Sequence, residues 1–121
     1  HYVLSTNHIH DIDVDYKGNS IRNQPDFKKN GINVSFMQEI RGSLHMRTYE
    51  RGVEDETLSC GSGVSAAALA YGFKNNIDKD SVSVKTKGGD LTVDFVRNED
   101  LFENIFLTGP AKFVYRGEID L

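Results

Sequence analysis

Gly61–Lys74, GSGVSAAALAYGFK, is the stretch that decides the fold. Ala66, Ala67, Ala68 and Ala70 alternate there with Val64, Leu69, Tyr71 and Phe73, so apolar side chains fall around the whole circumference of a helix instead of along one stripe. A helix that is apolar on all sides is buried on all sides. Small residues also let neighbouring strands approach closely. The stretch therefore predicts one central helix with a sheet curved around it.

The flanking sequence supplies that sheet. Tyr2–Ser5 is a short apolar run compatible with a strand, and Val34–Met37 and Leu44–Tyr49 alternate as strands do, with Leu44, Met46 and Thr48 on one face. Arg41-Gly42-Ser43 suits the hairpin turn between them. After the helix, strands are expected at Val82–Lys85, Leu91–Val96, Ile105–Thr108 and Lys112–Tyr115, with turns at Lys87-Gly88-Gly89-Asp90 and Thr108-Gly109-Pro110. Thr6–Tyr16 reads as a polar loop. Ser20–Gln24 reads as the start of a short helix that Pro25 interrupts, and Gly52–Ser59 as a polar link. The expected architecture is α+β: a curved, mostly antiparallel sheet, an open barrel, around one buried helix. All 121 residues are expected to form one domain.

Composition narrows the function. The chain is 38% hydrophobic and 26% charged with a net charge of -4, and it has no basic run, which argues against nucleic acid or an anionic membrane as partner. No apolar run approaches the roughly 20 residues needed to span a bilayer. The first residues lack the layout of a signal peptide, so the expected location is the cytoplasm. The chain opens on His1-Tyr2-Val3, inside a strand-like run and without methionine, and the expectation is a piece of something longer.

The only cysteine, Cys60, stands at the start of the decisive helix. It has no partner for an internal disulfide. A helix start offers unpaired N–H groups and a partial positive charge, which favour a thiolate and bind anions. Gly61 and Gly63 lack side chains, so a substrate carboxylate can rest on the amides of Gly61 and Ser62, with the Ser62 hydroxyl beside it. The same amides would stabilise charge as an α-carbon lost its proton. This arrangement suits α-proton chemistry on an amino or hydroxy acid. Glu50 and Arg51 end a strand and are candidates to return to the helix mouth: the carboxylate would oppose thiolate formation, and the guanidinium would hold a second carboxylate. Buried cysteines often serve only as small hydrophobes. Two glycines at a helix start, which cost helix stability, favour the chemical reading here.

Other motifs compete. Gly61-Ser62-Gly63-Val64-Ser65-Ala66 matches a dinucleotide fingerprint, but acidic Glu54-Asp55-Glu56-Thr57 stands where that fingerprint needs a hydrophobic strand. His8-Ile9-His10-Asp11 lacks a distant third ligand and reads as a solvated loop, so no metal is expected. Asn33-Val34-Ser35 satisfies the glycosylation triplet, and Asn33 also reads as a turn residue or a ligand-binding amide.

With these motifs in order, the chain resembles the C-terminal half of the diaminopimelate epimerase family. His1–Val3 is similar to the family's P-H-x-V segment and Gly31–Gln38 (GINVSFMQ) to its N-V-x-F segment. Tyr49–Gly63 (YERGVEDETLSCGSG) is similar to its most specific motif, and Lys87–Phe95 and Leu107–Ile119 to its closing strands. The resemblance implies epimerisation of diaminopimelate, in lysine and peptidoglycan precursor synthesis, without pyridoxal phosphate, metal or other cofactor. One cysteine thiolate takes the α-proton and a second thiol returns one to the opposite face. It implies Cys60 as one of these bases. Glu50, Arg51, Gly61 and Ser62 would line the substrate, Asn33 would contact its non-reacting end, and His1 and Glu50 would tune thiol acidity. The partner cysteine belongs to the family's N-terminal half, so this chain alone is expected to be inactive, and the intact enzyme is a possible homodimer. A proline or hydroxyproline racemase-like half is a related alternative, although there a proline typically precedes the cysteine and here Ser59 does. A non-catalytic binding or dimerisation domain of the same fold is another.

Overall fold

Val34-Ser35-Phe36-Met37 is buried at every position, not at every second one. A strand with that profile is covered on both faces. The computed structural model, which describes residues 1–120, shows what covers it. The elements run β1 (Tyr2–Ser5), α1 (Val14–Arg22), α2 (Pro25–Lys28), β2 (Val34–Ile40), β3 (Ser43–Glu50), β4 (Asp55–Thr57), α3 (Gly61–Lys74), β5 (Lys79–Thr86), β6 (Gly89–Asn98) and β7 (Leu101–Thr108).

All seven strands join one sheet in the order β1-β2-β3-β5-β6-β7, with β4 paired to β3. β1 runs parallel to β2, and β3 runs parallel to β5 over Leu44↔Val84 and His45↔Lys85. The remaining pairs are antiparallel. The sheet curls as a half-barrel around α3, as expected. Met37, Leu44, Met46, Val82, Val84, Val93 and Phe95 close on Val64, Ala67 and Ala68 of the helix. Two glycines let it approach: a Cβ at Gly72 would lie 2.5 Å from Phe95 Cζ, and one at Gly63 3.2 Å from Ser35 Oγ. The helix's fully buried residues, Gly63, Val64, Ala67, Ala68 and Gly72, form a stripe, so its burial is not all-round. Phe73, on the far side, is 53% exposed beneath the Arg97 guanidinium, whose carbon lies 4.7 Å from its ring centroid.

The outer face of β2 and β3 carries a second core that the sequence reading missed. Ile9, Ile12 and Val14 pack there against Val34, Phe36 and Tyr49. The segment expected as a polar loop thus holds three core residues, and Ile9, between exposed His8 and His10, is only 1% exposed. Asp13 caps α1 by accepting from the Tyr16 N–H at 2.9 Å. Val14, Gly18 and Ile21 face the sheet at helical spacing. Pro25 ends nothing: it opens α2 in the first turn, where its missing N–H is not needed.

Two further expectations change. The supposed link Gly52–Ser59 contains β4, which pairs Thr57 with Thr48 and Asp55 with Glu50. Lys112–Tyr115 forms no strand: residues 109–120 have no ladder partner among the described residues, and Phe113, Val114 and Tyr115 are exposed. The hairpin turn falls where expected, with Arg41 and Gly42 both in the left-handed region at φ 52° and 79°. No helix among the described residues is long and apolar enough to cross a membrane.

Candidate active site

The topology brings one end of the sheet to the start of α3. Because β1 and β2 are parallel, their first residues lie side by side, and the Tyr2 N–H donates to the Asn33 C=O at 2.9 Å. Because β3 runs antiparallel to β2, its last residues return to the same end, with Val34 opposite Tyr49. His1, Asn33, Glu50 and Arg51 therefore meet at one rim, and the chain passes through β4 to Cys60.

Cys60 is the N-cap residue of α3, with φ -128°, ψ 104° and no cap hydrogen bond from its side chain. Its C=O accepts from the Val64 N–H at 2.8 Å, so the helix starts directly after it. The residue is 5% exposed. Its Sγ lies 3.6 Å from Ser62 Oγ, which lies 3.0 Å from His1 Nε2. His1, Ser62 and Cys60 thus form a line of polar contacts, which ties His1, named in the sequence only through the resemblance, to the helix start. Asn33 Nδ2 points at Sγ from 4.0 Å, and its Oδ1 accepts from the Arg51 N–H at 2.7 Å. Asn33 is thus turned toward the thiol.

The other predicted residues are near the rim with their own partners. Glu50 Oε2 accepts from Thr57 Oγ1 at 3.0 Å, which ties the end of β3 to β4. Arg51 donates through Nη1 to the Asn30 C=O at 2.9 Å. Gly61 lies beneath Leu107 of β7, whose Cδ2 would be 3.1 Å from an added Cβ. Buried Ser35 and Thr48 share a hydrogen bond of 3.1 Å beside Gly63, so the floor next to the thiol is polar and satisfied. The first-turn amides of a helix have no intrahelical acceptor. With a capping residue whose side chain leaves them free, they can take a carboxylate.

The dinucleotide fingerprint does not find its context. It needs a strand–helix–strand unit with parallel strands, whereas β4, before α3, pairs only antiparallel to β3. No group of three metal-ligating side chains occurs among the described residues. A cavity of about 370 Å³ opens elsewhere, among His10, His45, Arg47, Lys85, Thr86 and Lys87, and shares no residue with the Cys60 group.

The curled half-barrel around a central helix is a fold shared with solved structures. A Pseudomonas aeruginosa protein described as a predicted epimerase superposes with a TM-score of 0.62 at 12% identity, over 83% of this chain and 34% of that one. A phenazine biosynthesis protein of the PhzF family from Enterococcus faecalis superposes with a TM-score of 0.53 at 17% identity, over 73% of this chain and 31% of that one. Sequence comparison is more specific. Residues 1–114 match the family model for diaminopimelate epimerase. Diaminopimelate epimerases of Flavobacterium psychrophilum, Aquifex aeolicus and Chlorobaculum tepidum are 38%, 40% and 40% identical over 98%, 98% and 100% of the chain. The chain belongs to the diaminopimelate epimerase family. It spans 47%, 42% and 47% of those relatives' lengths, about half of each.

Proposed function

We propose that this chain is the C-terminal, Cys60-bearing half of an isomerase that interconverts LL- and meso-diaminopimelate without a cofactor, in lysine and peptidoglycan precursor synthesis in the cytoplasm. The observation that carries the reading is Cys60 at the uncapped start of α3, with Ser62 and Asn33 directed at its sulfur and His1 bonded to the Ser62 hydroxyl. In one direction of the reaction the Cys60 thiolate takes the α-proton: the C–H bond breaks, an S–H bond forms, and the electron pair passes into the substrate carboxylate. The amides of Gly61 and Ser62 hold that carboxylate and meet the growing charge. Arg51 and Glu50 contact the substrate's charged groups, and Arg51 releases the Asn30 carbonyl to do so. His1 acts on the thiol through the Ser62 hydroxyl.

Inversion also requires a proton on the opposite face. Cys60 is the chain's single cysteine and cannot serve both faces. The second thiol therefore comes from the N-terminal half, and the active enzyme needs both. In the reverse direction the two groups exchange roles.

The test is exchange of the α-proton with deuterium oxide, alongside stereochemical inversion, in the full-length natural protein. Cys60→Ala abolishes inversion, by at least about three orders of magnitude for loss of an essential base. Inversion by Cys60→Ala at the parent rate removes Cys60 from the mechanism. Efficient inversion by residues 1–121 alone removes the requirement for a second half.

A further inference from the structure

The backbone leading into Cys60 is held by residues that none of the site's chemistry uses. Leu58, two residues before the cysteine, has a side chain 69% exposed, so no apolar burial fixes this segment. What fixes it is the turn between β5 and β6. The Gly88 N–H donates to the Leu58 C=O at 2.7 Å. A Cβ on Gly88 would lie 3.1 Å from that same oxygen and 3.3 Å from Ser59 Cβ, so a side chain there would push the two segments apart by a few tenths of an ångström. The neighbouring Lys87 donates through Nζ to Glu56 Oε2 at 2.6 Å. Glu56 is also gripped by Arg47, whose Nε and Nη2 donate to Oε1 and Oε2 at 2.6 Å each. Arg47 is itself anchored, since its Nη1 donates to the Ile9 and Ile12 carbonyls at 3.1 and 2.9 Å.

We propose that the β5–β6 turn is a clamp that positions Cys60: Gly88, through the Leu58 carbonyl, and Lys87, through Glu56, set where the N-cap of α3 stands and hence where the thiol meets the substrate. These are positioning residues, since none of them touches the sulfur. The proposal rests on Cys60 being the reacting group. Glu56 is suited to such a role because its side chain is only 8% exposed. Burial raises its carboxyl pKa, but the hydrogen bonds and charges of Arg47 and Lys87 outweigh this and hold it below the usual carboxylate value. The ion pairs therefore stay intact across the neutral range.

Gly88→Ala and Gly89→Ala separate positioning from simple stability. Both change the same turn. Gly89 has φ +141°, so alanine is strained there, but its added Cβ meets nothing within 4 Å, whereas the Cβ at Gly88 pushes on Leu58 and Ser59. A displacement of about 1 Å costs about 100-fold in rate, so the few tenths of an ångström imposed at Gly88 should cost roughly tenfold. In the full-length protein, Gly88→Ala is expected to lower kcat about tenfold with KM within about threefold of the parent, and Lys87→Met to do the same. Lys87→Arg restores kcat. Gly89→Ala lowers Tm and leaves kcat unchanged well below that Tm. Parent kcat in Gly88→Ala, or an equal loss in both glycine variants, overturns the clamp. Alkylation of Cys60 by iodoacetamide, followed by mass spectrometry, keeps the clamp separate from the identity of the reaction. A protein that does not epimerise diaminopimelate but shows altered Cys60 alkylation in Gly88→Ala and not in Gly89→Ala loses the proposed function and keeps the clamp. Cys60 alkylation unchanged in Gly88→Ala overturns the clamp whatever the substrate.

Discussion

Helices α1 and α3 cover opposite faces of the same two strands, and their first residues are built in opposite ways. Asp13 closes α1: its side chain accepts the Tyr16 N–H and satisfies one of the orphan donors. Cys60 leaves α3 open, because its side chain makes no such bond. An N-cap hydrogen bond is worth about 1 kcal/mol. Helix α3 therefore forgoes a stabilising contact at the position where the proposed chemistry needs free amides and a free thiol, and α1, which holds the outer face together, keeps it. Both helices approach the sheet through glycine, Gly18 against Tyr49 and Gly72 against Phe95. Close packing is thus common to both, and the open cap distinguishes α3.

The sharpest way to break this comparison is to give α3 the cap it lacks. Cys60→Ser places a hydroxyl at an N-cap position where serine is favoured, and it is expected to raise stability by about 0.5–1 kcal/mol in urea unfolding. It should also lower inversion by at least about 1000-fold, since an alcohol is a far weaker acid than a thiol. Loss of stability in this variant would mean that the open cap is not what α3 gives up. The reciprocal change, Asp13→Ala, is expected to cost about 1 kcal/mol and to leave kcat at the parent value. A drop in kcat comparable to that of the Cys60 variants would place α1 in the site and erase the distinction.

The contrast also explains what could be read from the sequence. Helix α3 was legible to the residue because alanines, glycines and apolar side chains crowd one stretch, and its neighbours Cys60, Gly61 and Ser62 stand out by spacing alone. The rim residues were legible through the family motif, and β1 and β2, being parallel, do bring His1 and Asn33 together. Helix α1 was not legible. Its buried stripe, Val14, Gly18 and Ile21, has a glycine at its centre, and glycine normally argues against helix. Only the structure shows that a Cβ there would collide with the Tyr49 side chain. Asp13 as a cap, Asp15 in the first turn and Arg22 in the last were the available signals. Strand β4 was hidden because its side chains are polar: Glu56 is kept by three hydrogen bonds from cations on β3 and the β5–β6 turn, partners distant in sequence. Lys112–Tyr115 failed in the other direction. Its apolar alternation predicts a strand, but a strand needs a neighbour, and none is present among the described residues.

The outer face should also differ from the open helix mouth in its response to pH. His45 of β3 lies edge-on to His10, with ring centroids 5.5 Å apart, and burial, followed by the charges of His10 and Lys85, lowers its pKa below the ordinary histidine value, with Asp90 opposing. A histidine depressed in the folded state binds fewer protons there than in the unfolded chain. Stability is then fully present above the unfolded value of about 6.5 and falls as pH drops through that value toward the lower folded one. One proton limits the slope to about 1.4 kcal/mol per pH unit, and partial binding keeps it smaller. Urea unfolding between pH 7.5 and 5 should show this decline, and His45→Gln should flatten it. The variant's pH dependence of inversion should stay that of the parent, because His45 lines the outer cavity and not the Cys60 rim. If His45→Gln moves the pH profile of kcat while leaving the stability slope intact, the outer face is electrostatically coupled to the thiol, and the separation between a closed structural side and an open chemical side fails.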